Sequence, residues 1–374
     1  MELTLDGLIY QRQQKGGISR MFNEVLPRMC QADPDLKIRL VTTGQSAQAL
    51  PHHPQIHPLR KFSLDDYLWP KRLWWPVEDS LRTLALRQVS NRSPTSVWHS
   101  TYYSIPDRWR GPAVVSVYDL IHEKFAHLFT GARWERTREQ MKKAVLKADL
   151  LLCISETTAQ DLAEIHGIPE DRIAVAPLSH SPVFSRIADP PTTTDEKPFL
   201  LTVGARFGHP AFQYKNAMLF LRAFSRWKRS NEFDLVCVSE RWSSQEHAIL
   251  SELGLAARTR LLESISDEEL AGLYRNAAAF VYPSKYEGFG IPVLEALAAR
   301  CPVVASRVPS SVEVGDDVPF YFGAEDDEEV MEAVDLAVNT GRQPGRIARG
   351  LDVVKRFSWD KTTHAILDAY GNVS

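Results

Sequence analysis

A chain of 374 residues is long for a single core and fits two domains. Its 44% hydrophobic and 24% charged residues suit a water-soluble globular protein, and a net charge of −3 argues against a general nucleic-acid binder. Cys30, Cys153, Cys237 and Cys301 stand far apart with no Cys-x-x-Cys pair, so reduced thiols in a cytoplasmic protein are expected rather than zinc or disulfides. No run of about eighteen apolar residues is present to span a membrane. The first residues already read as a strand, so no signal peptide is expected.

The first half alternates strands and helices, the pattern of a parallel α/β sheet. Glu2 to Ile9 reads as a strand, and Gly16-Gly17 leads into a helix with Ile18, Phe22, Val25, Leu26 and Met29 at helical spacing. A strand–glycine–helix turn here is either a phosphate cradle or an ordinary turn. Lys37 to Thr42 is the next strand. From His52 to Ser93 the alternation breaks down. This stretch holds Trp69, Trp74 and Trp75 beside Lys71 and Arg72, followed by the helix-like Val77 to Gln88. The indoles and cations fit a membrane-interface patch, the wall of an acceptor groove, or the packing of an irregular subdomain.

Val97 to Ser100 and Ala113 to Val117 read as central strands, the second running into Tyr118, Asp119, His122 and Glu123. Ligands of open α/β sheets bind at such carboxyl ends. A charge-laced helix spans Gly131 to Ala148. The strand Asp149 to Ile154 precedes a helix from Glu156 to His166 that Ser155 can cap, and Ile173 to Ala176 is a further strand. Arg186 to Pro198, with three prolines and three threonines, reads as a linker. The predicted organisation is therefore a first domain over 1–185, a linker over 186–198, a second domain over 199–355 and a closing helical segment over 356–374.

The second domain opens with the strand Phe199 to Val203, then Gly204-Ala-Arg206, Tyr214-Lys215-Asn216 and an apolar-faced helix. Phe233 to Val238, Arg258 to Leu262, Ala278 to Tyr282, Pro302 to Ala305 and Pro319 to Phe322 continue the sheet, and Ser266-Asp-Glu-Glu269 is a capping box. The most informative stretch follows the strand ending at Tyr282. Pro283-Ser-Lys-Tyr-Glu287-Gly288-Phe289-Gly290-Ile-Pro292-Val-Leu-Glu295 is a loop with two glycines feeding a helix that Pro292 suits at its start. The glycines allow close backbone approach, and free N–H groups at the helix start favour phosphate. Glu287 and Glu295 bracket the turn, one in the loop and one in the first helical turn.

This string resembles the Glu-x7-Glu motif of retaining glycosyltransferases of family 4, which have the GT-B architecture. The resemblance covers essentially the whole chain and is strongest from Phe199 to Phe322. It implies two Rossmann-like domains with parallel sheets facing across a cleft, the donor mainly on the second domain and the acceptor on the first. It assigns Arg206 and Lys215 to the donor diphosphate. Glu287 goes to the transferred sugar, Glu295 to the ribose, and the Gly16-Gly17 loop to a close approach to the diphosphate. Gly288, Phe289 and Gly290 form the donor loop, the Leu262 to Ser266 loop holds the base, and the closing helix returns to the first domain. The family shows His-Asp where this chain has Tyr118-Asp119, so Tyr118, Asp119 and His122 are the candidates for that contact. Ser155-Glu156 also matches the family.

The implied activity is retaining transfer of a hexose-type sugar, mannose from GDP-mannose leading. It runs from a nucleotide-diphosphate sugar to a hydroxyl of a glycan or lipid-linked acceptor in surface polysaccharide assembly. Arg206, Lys215 and the loop amides can stabilise the departing diphosphate, so no metal or other cofactor is expected. Trp74, Trp75, Tyr118 and His122 are the acceptor-side candidates. The expected location is the cytoplasm, at the inner face of the membrane if the tryptophan patch binds there, and no nucleic-acid partner is expected. Two alternatives are an epimerase of the same fold, which would release altered donor without an acceptor, and a non-catalytic nucleotide-sugar-binding subunit of a glycan-assembly complex. A nicotinamide-dependent oxidoreductase is set aside because no Gly-x-Gly-x-x-Gly turn follows the first strand.

Overall fold

Short strands with side chains buried on both faces belong in parallel sheets covered by helices. The computed structural model describes residues 1–12, 16–43, 49–61, 86, 89–90, 95–186 and 197–373. Among these, the chain divides into two compact units. One comprises Met1–Glu123, Thr130–Leu178 and Ser358–Ser374; the other comprises Lys124–Phe129 and Ser179–Phe357. The first unit contains β1 (Glu2–Asp6), β2 (Lys37–Thr43), β3 (Ile56–Lys61), β4 (Val97–Ser100), β5 (Ala113–Val117), β6 (Leu150–Cys153) and β7 (Ile173–Val175). They pair in parallel in the order β3-β2-β1-β4-β5-β6-β7. The second contains β8 (Phe199–Val203), β9 (Asp234–Val238), β10 (Thr259–Leu262), β11 (Ala279–Tyr282), β12 (Val303–Ser306) and β13 (Phe320–Phe322). These are also parallel, in the order β10-β9-β8-β11-β12-β13.

Each sheet therefore winds outward from its first strand, returns, and winds the other way. The strand order reverses between β1 and β4 in one unit and between β8 and β11 in the other. Loops at the carboxyl ends of such neighbours form the crevice where open α/β sheets take ligands.

In the second unit the helix Ala217–Arg226 lays Phe220, Leu221 and Phe224 onto the sheet beside Val330 and Val334 of the helix Asp327–Thr340. In the first, Met141, Ala144 and Val145 of the helix Ala132–Lys147 cover Val115, Val117, Leu151 and Cys153. The closing helix, Trp359–Gly371, packs on the helix Gly17–Ala32 of that same unit. Ser358 caps it by accepting from the Lys361 amide at 3.2 Å, and Thr362 donates to the Pro177 carbonyl at 2.5 Å. Beneath it, His99 Nδ1 meets the Tyr370 hydroxyl and His99 Nε2 lies 2.8 Å from Ser116 Oγ.

Two elements depart from the sequence reading. The first strand stops at Asp6 rather than continuing to Ile9, and a short helix, Leu8–Arg12, begins at once. The Asp6 carboxylate accepts from the Thr101 amide at 2.9 Å and the Leu8 amide at 3.4 Å, turning the chain. Gly7 donates to the Val41 carbonyl at 2.6 Å, where a Cβ would stand 2.7 Å from Thr42 Cγ2. Second, the irregular stretch after His52 contains strand β3, at the edge of the sheet and paired to β2 alone among the described residues. The Trp69 to Trp75 stretch, including Trp74 and Trp75, and most of the Arg186 to Pro198 segment lie outside the described residues.

Candidate functional site

In the second unit the loops after β8 and β11 flank the point where strand order reverses. The loop after β8 turns at Gly204 (φ +72°), a conformation that favours glycine, and delivers Arg206. It continues into the short 3-10 helix Pro210–Lys215, which ends at Asn216 in the left-handed region (φ 56°). Asn216 is anchored by its side-chain amide, which donates to the Ala324 carbonyl at 2.7 Å. The Lys285 amide donates to the Tyr214 carbonyl at 2.7 Å, so Tyr214 and Lys215 are tied to the loop after β11.

That tie brings together two residues 72 positions apart. Lys215 Nζ lies 2.7 Å from Glu287 Oε1, with the side chains 25% and 15% exposed, and the Tyr214 ring lies 5.2 Å from the ammonium. The Tyr282 hydroxyl, at the end of β11, also donates to Glu287. Burial and the Glu287 charge both push that phenol well above its ordinary range, so it stays protonated as a donor. Glu287 thus sits between an ammonium and a phenol, a held carboxylate at the mouth of the sheet.

Beyond it, Phe289 is buried and meets Phe357 edge-on at 5.6 Å. Gly290 (φ +118°) opens the helix Ile291–Ala298, with Pro292 in its first turn. Glu295 lies inside that helix, buried, with Tyr274 Oη 3.5 Å from its Oε2.

Arg206 has a different environment from Lys215. Its guanidinium forms a two-pronged pair with Glu246, Nε to Oε1 at 2.8 Å and Nη2 to Oε2 at 3.1 Å. Burial pushes the Glu246 carboxyl up, but the Arg206 guanidinium and the Ser243 and Phe207 donors outweigh it and hold it at about 2. Arg206, Lys215, Glu287, Gly288, Phe289, Gly290 and Glu295 all lie in this unit.

The remaining described candidates lie in the first unit. Gly16 is exposed and extended, directly before the helix that Gly17 begins, and its carbonyl accepts from Ser19 Oγ at 3.0 Å. The Tyr118 phenol is buried and donates to the Thr101 carbonyl at 2.8 Å. Asp119 Oδ1 accepts the Ile121 amide at 3.0 Å. The His122 ring packs 4.8 Å from Trp134; burial, and then the Arg138 charge, lower its pKa to about 4, so it is neutral at pH 7.

Sequence reasoning missed Glu246 and Tyr282. Ser243-Ser-Gln-Glu246 is a capping-box string, legible as the start of the helix Ser244–Glu252, but nothing local signals its partner forty residues earlier. Tyr282 reads in sequence as the strand end before the motif, without any sign of its contact to Glu287; its hydroxyl emerges where β11 meets the Glu287 loop.

Comparison with known proteins agrees with this architecture. The family model for Glycosyl transferases group 1 matches residues 185–349, and that for Glycosyltransferase Family 4 matches residues 15–179. The O-antigen chain mannosyltransferase RfbU of Salmonella typhimurium is 28% identical over 222 residues, 59% of this chain and 59% of its own length. The O-antigen chain mannosyltransferase B of Escherichia coli is 26% identical over 286 residues, 73% of this chain and 74% of its own. The chain thus spans between about three-fifths and three-quarters of these two relatives.

Among solved structures, the lipopolysaccharide-biosynthesis glycosyltransferase WaaG superposes with a TM-score of 0.71 at 14% identity, covering 98% of both chains. Anabaena Alr3699/HepE in complex with UDP and glucose gives 0.68 at 14% identity, again covering 98% of both. Two α/β units, each with its own parallel sheet, are the GT-B architecture. The chain belongs to the GT-B glycosyltransferases of the family 4 type.

Proposed function

We propose that the protein transfers a hexose-type sugar, with retention of configuration, from a nucleotide-diphosphate sugar to a hydroxyl of a glycan or lipid-linked acceptor in surface polysaccharide assembly. Mannose from GDP-mannose is the leading donor; the mannose is supported by the two O-antigen relatives, which are mannosyltransferases. The observation that carries the reading is the Lys215–Glu287 pair, 2.7 Å apart, on the loops that flank the strand-order reversal of the second sheet.

Breaking the sugar–phosphate bond leaves negative charge on the diphosphate. On this reading Lys215 supplies a compact point charge and Arg206 a planar edge to the phosphate oxygens, and the amides of Gly288 to Gly290 add oriented dipoles. Glu287, held by Lys215 and Tyr282, contacts the sugar, and Glu295 the ribose. These groups need no metal to balance the leaving charge. The acceptor hydroxyl attacks on the face the diphosphate leaves, which preserves configuration.

A panel of nucleotide-sugars screened for thermal stabilisation identifies the donor, because a ligand that binds only the folded state raises its stability by mass action. Incubation of that donor with and without a glycan acceptor then separates the outcomes. Transfer requires acceptor and gives a product of retained configuration; altered free donor without acceptor marks an epimerase; binding with no turnover marks a non-catalytic subunit.

A further inference from the structure

The Arg206 guanidinium is gripped along one edge by a carboxylate that cannot turn. Besides the two Arg206 bonds, Glu246 accepts the Phe207 amide at 3.2 Å and the Ser243 amide and hydroxyl at 2.8 and 2.9 Å. Its side chain is 1% exposed. Gly208 lies directly against it: a Cβ there would stand 2.6 Å from Glu246 Cγ. The Phe212 ring lies 5.1 Å from the guanidinium carbon. On the remaining edge, Nη1 meets Glu240 at 3.5 Å, and that side chain is 90% exposed, so water competes for the contact and it holds the guanidinium weakly.

A buried ion pair adds little net stability compared with apolar packing, because both charges give up their water. It also lowers the net positive charge that Arg206 offers an anion. What it does add is orientation. An arginine tethered by one edge keeps its other edge aimed, and does not give up rotamer freedom when a ligand arrives.

We propose that Glu246 is a positioning residue for diphosphate recognition, fixing the Arg206 fork by its Nε/Nη2 edge so that the Nη1 edge meets the phosphate already oriented. This rests on the reading above in which Arg206 grips the donor diphosphate. Glu246 itself touches no substrate; it acts through Arg206.

The test uses the full chain and whichever of GDP, UDP, ADP, CDP and dTDP stabilises the wild type most, with the matching nucleoside as control. Glu246→Gln, checked for wild-type-like folding by circular dichroism, is expected to lower nucleoside diphosphate affinity about tenfold while nucleoside affinity stays within about twofold. In an Arg206→Ala background the same substitution is expected to change neither affinity. Gly208→Ala displaces Glu246 without removing its charge. It is expected to reproduce the selective loss, and it decides the question should Glu246→Gln not fold. Equal weakening of diphosphate and nucleoside, or an unchanged diphosphate affinity while Arg206→Ala loses it, would overturn the positioning role. If Arg206→Ala itself keeps diphosphate affinity, or none of the five nucleotides binds, the donor reading fails first and the positioning role falls with it.

Discussion

Glu287→Gln separates a role in chemistry from a role in the fold. The substitution keeps the side chain's size, exchanges one acceptor oxygen for an NH2 donor, and removes the charge facing Lys215 at 2.7 Å. Two unit charges at that distance attract by about 6 kcal/mol at an effective dielectric of about 20. Most of this is offset by lost hydration, since the ammonium and carboxylate are only 25% and 15% exposed. The net cost to folding is therefore about 1–2 kcal/mol, a melting shift of roughly 2–6 °C.

If the carboxylate faces the sugar as positive charge develops there, its loss is felt mainly in the transition state. Transfer should then fall about a hundredfold or more, equivalent to about 2.7 kcal/mol or more of barrier. The two measurements are thermal unfolding and initial rates at saturating donor and acceptor. Near-wild-type turnover in a folded Glu287→Gln protein refutes the assignment. A melting loss far above that range, with catalysis falling only in proportion to unfolded protein, would instead make Glu287 a structural residue.

Four further outcomes are expected. Arg206→Ala and Lys215→Ala should each reduce transfer about a hundredfold, with weaker nucleoside diphosphate binding; retention of both rate and affinity places the diphosphate elsewhere. Chelator-treated protein should keep its activity, because the cations and loop amides balance the leaving charge; strict dependence on added magnesium or manganese contradicts this. Arg206→Ala should also destabilise the fold by about 3 kcal/mol, because Glu246 is left buried and charged, and adding Glu246→Gln should recover part of the loss, read by denaturant unfolding. His99, fully buried, has its pKa lowered by burial from 6.5 to about 3, so the unfolded chain binds its proton first as pH falls. The stability it contributes is complete above pH 6.5 and drains away towards pH 3, roughly 3 kcal/mol being lost by pH 4; unfolding curves at pH 7 and 4 should show that slope flattened in His99→Gln.

The second sheet was most legible at its central strands, which are buried on both faces. Runs such as Ala279–Tyr282 and Val303–Ser306 carry apolar residues on both faces and are punctuated by Pro283 and Pro302. The motif loop was legible for the same local reason, since its glycines, prolines and glutamates are contiguous in the chain. Where the signal was not local, the reading slipped. Leu8, Ile9 and Tyr10 are as buried as the strand before them, so apolar continuity hid the change to a helix that Gly7 and the Asp6 carboxylate impose. Strand β3, Ile56–Lys61, mixes Pro58 with His57, Arg60 and Lys61; only an edge position, with one partner strand, accommodates that composition.

The pairing of Arg206 with Glu246 was the least legible feature, and it makes two cations that looked equivalent in sequence chemically different. Lys215 is a point charge paired with Glu287, and on the proposed function an arriving diphosphate competes with Glu287 for that ammonium. Arg206 is bound along one edge by a carboxylate that five donors lock in place, which on the same function leaves its Nη1 edge, met by the exposed Glu240, for the diphosphate. On the proposed reading, donor binding therefore rearranges the Lys215–Glu287 pair and leaves the Arg206–Glu246 pair intact. The first pair can report the arrival of the leaving group to the carboxylate beside the sugar. The second serves as the fixed reference against which the diphosphate is aligned.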